Sequence, residues 1–183
     1  PKVGMTEWVT SFDLNSLYPN LIVQYNMSPE TLVSGGDDFT ASGVDHYLNN
    51  PIREDVRERD LSVAVNGSMY RKDVRGVLPT IIIGLYDERR GIKNEMLSLK
   101  SEYEKKKSPE MLREINRLEN TQQAVKILLN SLYGALGNQY FRYFDMRIAE
   151  GITLSGQLSI KWAEKAMNKA LNTILKSDDE DYV

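Results

Sequence analysis

Residues 92–118 read IKNEMLSLKSEYEKKKSPEMLREINRL, and this stretch decides the fold. Its first half repeats apolar side chains every three or four residues, which is the spacing of one face of an α-helix. Ser108 and Pro109 then interrupt the pattern with a helix N-cap and a proline suited to the first helical position. The second half resumes the helical spacing. The stretch therefore predicts two helices joined by a tight turn, which is an antiparallel helical hairpin.

The apolar pattern extends far beyond both sides of this turn. We expect the first helix to run from about Pro79 to Lys107, and the second from Pro109 to about residues 134–137. At about 1.5 Å per residue, each arm is roughly 40 Å long. The facing apolar stripes are Ile92, Met96, Leu99 and Tyr103 on the first arm, and Leu112, Ile115, Leu118, Val125, Leu129 and Leu132 on the second.

The segment near the N-terminus predicts a strand followed by a helix. Residues 7–13 (EWVTSFD) include β-branched and aromatic side chains and are expected to form a strand that ends at Asp13. The next helix is expected to start at Ser16, with Asn15 as its N-cap. Pro19 then falls in the first turn, where its missing N–H costs nothing.

Three further segments complete the fold prediction. Residues 34–60 carry no clear period and are expected to form a surface connection with about one helical turn. Residues 68–78 predict a β-hairpin that turns at residues 73–76. Asp145 can cap a last long helix over residues 146–176, whose small side chains suit close packing. These patterns together predict an α+β fold in which a helical hairpin is inserted into a partial sheet.

The composition limits the chemistry that the chain can perform. With no cysteine and a single histidine, it has no disulfides, no thiolate zinc site and no His-rich metal site. Catalysis would have to come from carboxylates, hydroxyls, lysine and arginine. No apolar run approaches the roughly eighteen residues of a membrane-spanning helix, and no signal-peptide core is present. We therefore expect no membrane partner, and a chain without an initiator methionine suggests a piece of a longer protein.

The charge is distributed unevenly along the chain. The formal net charge is −3, but residues 71–147 hold 15 lysines and arginines against 10 acids. A basic middle between acidic ends can serve an anionic ligand, although two ordinary solvated helices would look the same.

The hairpin geometry brings several polar residues of this basic region to one level. Arg89 lies 19 residues before Ser108 at the turn and Lys126 lies 18 after it, so the two are expected to lie side by side. Lys93 shares a helix face with Arg89, as Asn130 does with Lys126. Converging cations without a local acid suit a polyphosphate. The alternative is that they simply point into water.

A carboxylate at the expected junction of strand and helix offers a metal ligand. Asp13 would lie beside free backbone N–H groups at the start of the helix. Such a carboxylate can hold Mg²⁺ while the N–H groups bind phosphate. An ordinary turn or capping aspartate is the alternative.

Two segments go beyond these general patterns. Residues 13–20, DLNSLYPN, resemble motif A of family B DNA polymerases, D-x-x-S-L-Y-P-S-I-I. Residues 126–134, KILLNSLYG, resemble motif B, K-x-x-x-N-S-x-Y-G. The flanking segments YNMSPET (25–31) and ALGNQYFR (135–142) are similar to the replicative polymerases of large tailed bacteriophages. The resemblance implies a partial polymerase palm with an antiparallel two-helix fingers hairpin inserted.

The resemblance implies roles for the motif A residues in a two-metal reaction with two Mg²⁺ ions. Asp13 resembles the first catalytic carboxylate, and the Leu14 carbonyl resembles a further metal ligand. The backbone N–H groups of Ser16, Leu17 and Tyr18 would hold the β- and γ-phosphates of a dNTP. Tyr18 also resembles the steric gate that excludes a ribose 2′-OH.

The same resemblance implies roles for residues of the helical hairpin. Arg89, Lys93 and Lys126 would neutralise the triphosphate, and Lys126 could protonate the leaving pyrophosphate. Asn130 would order this network, and Tyr133 would lie against the nascent base pair.

The resemblance also implies a division of the chain and a set of partners. Residues 1–79 would form the first palm part, residues 80–137 the fingers, and residues 138–183 a second palm part that ends before motif C, Y-G-D-T-D-S. Without the second catalytic aspartate of motif C, we expect no synthesis by the chain alone. The expected partners are primer–template DNA, dNTP and the remaining exonuclease, thumb and motif C segments, in cis or as a second chain.

We expect a cytoplasmic location, in the host cytoplasm if the source is a virus. A non-catalytic nucleotide- or DNA-binding fragment and a helical-hairpin scaffold are the alternative functions.

Overall fold

The computed structural model describes residues 4–5, 9, 11–34, 42–50, 58–177 and 180–182. Within these ranges the chain is rich in helix and contains one small sheet. None of the described helices has a stretch apolar enough to cross a lipid bilayer. The elements are α1 (Leu17–Tyr25), β1 (Leu32–Ser34), α2 (Ser42–Asn49), β2 (Leu61–Val63), β3 (Met69–Arg71), α3 (Val77–Lys105), α4 (Pro109–Leu136) and α5 (Met146–Leu175).

The two long helices predicted on either side of Ser108 are both present. Helix α3 begins three residues before Thr80 and ends two residues before Lys107, and α4 has Pro109 in its first turn. The two helices run antiparallel, because Arg89 of α3 contacts Gln122 of α4 at 3.2 Å, whereas the later Lys100 contacts the earlier Glu119 at 3.3 Å. Their outer halves share a small core made by three buried side chains, Met96, Ile115 and Leu118.

The inner halves of α3 and α4 belong to a larger core. This core also takes side chains from α1, from the sheet and from the first half of α5, so it fixes the inner end of the helical hairpin against α1. Its buried members are Ile22, Met27, Ala64, Tyr70, Leu78, Ile82, Val125, Leu129, Leu136, Ile148 and Ile152.

The sheet has three antiparallel strands in the order β1-β3-β2. The prediction of a β-hairpin over residues 68–78, with its turn at residues 73–76, is wrong. The chain turns between β2 and β3 instead, at Asn66 and Gly67. Gly67 has φ +79°, a conformation that glycine adopts without a steric penalty. The Asn66 amide donates to the carbonyl of Arg147 at 2.7 Å, so the turn is anchored to the start of α5.

The predictions near the N-terminus are partly wrong. Residues 9 and 11–14 form no strand, and the rest of the predicted strand at residues 7–13 lies outside the described residues. The N-cap of α1 is Ser16 rather than Asn15. The Asn15 side chain accepts a hydrogen bond from the Ser16 hydroxyl at 3.2 Å, so it does not cap the helix backbone.

The connection at residues 34–60 holds more helix than predicted, and the last long helix forms as predicted. The surface connection predicted at residues 34–60 contains a full eight-residue helix, α2, whose Val44 is buried; residues 35–41 and 51–57 lie outside the described residues. The last long helix is present as α5, and the Asp145 side chain caps it by accepting from the backbone N–H of Arg147 at 3.0 Å.

Asn26 fixes the end of α1 to the connection between β3 and α3. It is buried and has φ 57°, the left-handed conformation that asparagine tolerates better than most residues. Its amide donates to the carbonyls of Arg71 at 2.7 Å and Val74 at 2.8 Å, and its Oδ1 accepts from the N–H of Gly76 at 2.9 Å. One side chain therefore satisfies three backbone groups of a connection that has no regular structure.

We predict that Asn26→Ala lowers the free energy of unfolding by about 3 kcal/mol, because it leaves these backbone groups unpaired and forces alanine into a left-handed conformation. Asn26→Gly should cost about 1 kcal/mol less, since glycine accepts that conformation. Urea unfolding measures both, with Asn116→Ala on the exposed face of α4 as the control. A similar, small loss in all three variants would contradict the role of Asn26.

Candidate functional site

The rings of Tyr18 and Tyr133 meet between α1 and α4. Their centroids are 4.6 Å apart and their planes are inclined by 45°. Both side chains are half-buried and pack against the larger core. Such an aromatic pair contributes about 0.5–1.5 kcal/mol beyond the area that it buries. The fold thus joins two sequence segments that are far apart in the chain.

Helix α5 closes the other side of Tyr18. A Cβ atom placed on Gly156 would lie 3.0 Å from Cε1 of Tyr18 and 3.5 Å from Cδ2 of Leu17. At 3.0 Å the Tyr18 ring or α5 would have to shift by a few tenths of an ångström to accept that atom, whereas glycine lets α5 lie this near to α1 without a shift. Tyr18 is therefore in contact both with the Tyr133 ring and with α5 at Gly156.

Tyr133 keeps its phenolic proton in this environment. Burial raises the pKa of the Tyr133 hydroxyl, the neighbouring Tyr18 raises it further, and a hydrogen bond with Thr153 opposes both effects. The Thr153 hydroxyl is itself held by the carbonyls of Ala149 at 3.2 Å and Glu150 at 3.0 Å. The site therefore presents a neutral, positioned phenol near physiological pH.

The start of α1 leaves backbone donors free. Ser16 has φ 51°, a left-handed conformation that costs a residue with a Cβ atom about 1–2 kcal/mol. The N–H groups of Ser16, Leu17 and Tyr18 donate to no other described residue, and Pro19 has no N–H. Free N–H groups and the positive end of the helix dipole together favour an anion at this position.

Asp13 and Leu14 precede this helix start and are both exposed. Among the described residues Asp13 has no ion pair, and no group of three acids or histidines forms a closed metal cage. A carboxylate and a carbonyl oxygen are ligands that Mg²⁺ accepts, but they are too few to hold it alone. This donor set fits a metal that takes its other ligands from elsewhere.

The basic residues differ in how firmly they are held. Arg89 is half-buried, and its Nε donates across the hairpin to Oε1 of Gln122 at 3.2 Å. Gln122 lies one helical turn before Lys126, so Arg89 contacts α4 one turn away from Lys126. That Arg89 and Lys126 lie side by side stays a prediction. The side chains of Lys93, Lys126 and Asn130 are exposed and bind no other described residue.

A comparison with known proteins identifies the family. Residues 1–182 match the family model described as DNA polymerase family B. The chain belongs to DNA polymerase family B. It is 33% identical to the DNA-directed DNA polymerase of Enterobacteria phage T4 and 34% identical to that of Escherichia phage RB69, in each case over 100% of this chain and 24% of the relative.

Archaeal polymerases are similar to this family B chain as well. The DNA polymerase of Pyrococcus glycovorans is 32% identical over 92% of the chain and 18% of the relative. The solved structure of the family B DNA polymerase from Pyrobaculum calidifontis superposes with a TM-score of 0.58 and 26% identity, covering 85% of this chain and 17% of that one. The predicted similarity to phage polymerases is confirmed, and the chain spans about a quarter of the length of its phage relatives.

The structure brings together some of the predicted site residues of this family B chain and leaves others apart. Tyr18 meets Tyr133, and Arg89 reaches Gln122 of α4, one helical turn before Lys126. Within the described residues, no ion pair links Asp13 to any of these cations. The roles suggested by the family motifs for Leu14, Ser16, Leu17, Lys93 and Asn130 stay predictions.

Two residues that the sequence did not single out contribute to this site. Gln122 holds Arg89, and its position one turn before Lys126 on the same helix face was the available signal. Gly156 leaves space for the Tyr18 ring, but a glycine within a helix does not reveal which side chain approaches it.

We predict that Gly156→Ala does not stabilise the fold, although Gly91→Ala does. Gly91 lies in α3 with open space around it, so alanine should add about 0.5–1 kcal/mol to the free energy of unfolding. At Gly156 the new methyl group meets Tyr18, and a loss of about 1 kcal/mol is expected. Urea unfolding compares the two. Equal gains would show that α5 can move away from Tyr18, and a Tyr18→Ala background should remove the penalty.

Proposed function

We propose that this chain is the palm-and-fingers segment of a template-directed DNA polymerase, which transfers a nucleotide from a dNTP to the 3′ end of a primer. The contact between Tyr18 and Tyr133 carries the proposal, because it joins the motif A segment to the motif B helix. Membership of DNA polymerase family B supports it. Since the relatives are about four times longer, synthesis belongs to the complete enzyme.

The domain division follows the same reasoning. In the proposal, residues 1–79 and 138–183 are palm segments, and residues 80–137 are the fingers. The long, thin pairing of α3 and α4 suits an arm that can close over a nucleotide, while the sheet, α1 and α5 share the larger core at its base.

The triphosphate would lie between the start of α1 and the cations of the hairpin. The free N–H groups of residues 16–18 would bind phosphate oxygens, and Lys93 and Lys126 have no described partner that competes for their charge. Arg89 would add a third positive charge, and its guanidinium is restrained by the hydrogen bond to Gln122. Hydrogen bonds between such cations and phosphate are about twice as strong as neutral ones.

The carboxylate of Asp13 and the carbonyl of Leu14 would hold Mg²⁺. When bound, Mg²⁺ neutralises charge on the phosphates and favours the oxyanion of the primer. These two ligands are too few for a complete site, so the phosphates and the remaining polymerase segments would supply the others.

The protein side chains would then assist the displacement. The primer 3′-OH gives its proton to solvent water and its oxygen bonds the α-phosphorus, while the bond from that phosphorus to the leaving pyrophosphate breaks. Lys126 would donate its proton to the leaving pyrophosphate as a general acid. The amide of Asn130, one turn further along α4, would hold Lys126 and the phosphates in register.

Tyr18 and Tyr133 would shape the space for sugar and base. Tyr18 is pressed between Tyr133 and Gly156, so its ring cannot easily yield to a 2′-OH. Tyr133 would present its face to the nascent base pair while Thr153 holds its hydroxyl.

A second proposal concerns the chain by itself. Because no group of three acids or histidines is found among the described residues, the isolated chain is better suited to binding Mg²⁺–dNTP or DNA than to catalysis. The complete enzyme would act on primer–template DNA in the cytoplasm, with the exonuclease, thumb and motif C segments in cis or in a second chain.

We predict that Lys126→Ala lowers the rate of primer extension by about 10²–10⁴-fold, which is the range for losing a positioned acid. The assay uses this chain reconstituted with the remaining polymerase domains. Lys169→Ala, which removes an exposed lysine of α5, is the control and should leave the rate unchanged. Equal rates for the wild type and both variants would contradict the role of Lys126 as the general acid.

We predict that Tyr18→Ala increases the incorporation of ribonucleotides while the use of dNTP is largely retained, since the ring no longer fills the space of the 2′-OH. The measurement is the ratio of kcat/KM for dATP and ATP in the same reconstituted polymerase. Tyr140→Ala removes a ring that is 88% exposed and serves as the control. Unchanged discrimination in Tyr18→Ala would rule out the steric gate.

A further inference from the structure

A chain of hydrogen bonds crosses between α3 and α4 beside Arg89. Lys100 approaches Oε2 of Glu119 at 3.3 Å, and the amide of Gln122 donates to Oε1 of Glu119 at 2.8 Å. The Oε1 atom of Gln122 then accepts from Nε of Arg89 at 3.2 Å. Gln123 also donates to Glu119, at 3.4 Å, but it points to solvent and does not contact Arg89.

The donor and acceptor groups along this series of hydrogen bonds fix the orientation of each side chain in it. Hydrogen bonds from Gln122, Lys100 and Gln123, in that order, lower the pKa of Glu119, so its carboxylate is ionised and can only accept. The NH₂ group of Gln122 must therefore face Glu119. Its carbonyl oxygen is left to face Arg89, which can only donate.

The guanidinium of Arg89 is consequently held by Gln122 at one nitrogen, Nε. Gln122 is only 6% exposed, so its side chain cannot swing away without opening the helix pair. The bond occupies only Nε of Arg89, and the two terminal nitrogens of the guanidinium donate to no other described residue. Those nitrogens form the edge with which arginine can bind two phosphate oxygens at once.

We propose that Gln122 is a positioning residue for triphosphate recognition: it holds the guanidinium of Arg89 by Nε, so that its two terminal nitrogens stay free to bind phosphate oxygens. The inference rests on the proposed function, in which Arg89 binds a dNTP. Gln122 restrains Arg89 before the nucleotide arrives, so less rotamer freedom is lost on binding. The neutral amide does this without cancelling the charge of Arg89, as a carboxylate would.

The test is Gln122→Met, which keeps the length of the side chain and removes both polar atoms. In the polymerase reconstituted from this chain and the remaining domains, the KM for dATP in single-nucleotide incorporation should rise about tenfold, and kcat should change by less than about threefold. Gln123→Met is the matched control, because it removes the same group from the same helix and the same acceptor. It should leave KM unchanged.

A double-mutant cycle separates positioning from a merely structural role. In an Arg89→Ala background, Gln122→Met should have no further effect on KM, because there is no guanidinium left to hold. A structural defect would raise KM equally in both backgrounds, and that result would overturn the proposal.

Two further outcomes distinguish a failure of this proposal from a failure of the proposed function on which it rests. If Arg89→Ala leaves KM for dATP unchanged, the role of Arg89 in the proposed function fails. If Arg89→Ala raises KM and Gln122→Met does not, the positioning role alone fails. Should Gln122→Met not fold, Glu119→Gln decides: it lets the amide of Gln122 reverse and should raise KM about threefold. An unchanged KM in Glu119→Gln would overturn the proposal.

Discussion

The close packing of Tyr18 between Tyr133 and Gly156 is the constraint on which the arrangement of the candidate site depends. The two rings lie 4.6 Å apart, and α5 approaches so closely that a methyl group at position 156 would lie 3.0 Å from the Tyr18 ring. Tyr18 lies in the first turn of α1, so this packing also fixes the free N–H groups at the start of that helix. A rotation of α1 would move the aromatic pair and these free N–H groups together.

The far end of α1 is fixed by polar interactions as well as by packing. Asn26 ends the helix in a left-handed conformation and uses its side chain to hold the connection that leads into α3. Because α3 starts directly after this connection, the direction of the hairpin is tied to α1 as well. Helix α1 is thus held at both ends, and the helical hairpin of α3 and α4 leaves from the second of these points.

The hairpin combines two kinds of basic residue. Lys93 and Lys126 are exposed and carry charge without a fixed direction, whereas Arg89 is half-buried and restrained by Gln122. Flexible ammonium groups supply attraction, and a restrained guanidinium supplies geometry. In the proposed function, this combination would both attract a triphosphate, which carries much charge, and place it accurately for an in-line displacement.

The sequence by itself determined the long helices and the proline at the start of α4, because helical spacing and capping are local properties of the chain. It also supplied the motifs that indicated the family. It misplaced the β-turn, since Asn66 and Gly67 form the tight turn and the expected site at residues 73–76 is taken up by the connection that Asn26 holds. Only the tertiary structure decided that Tyr18 meets Gly156 and that Gln122 faces Arg89. These contacts join residues distant in sequence, and no local pattern specifies which side chain will fill the space beside a glycine or accept a hydrogen bond from an arginine.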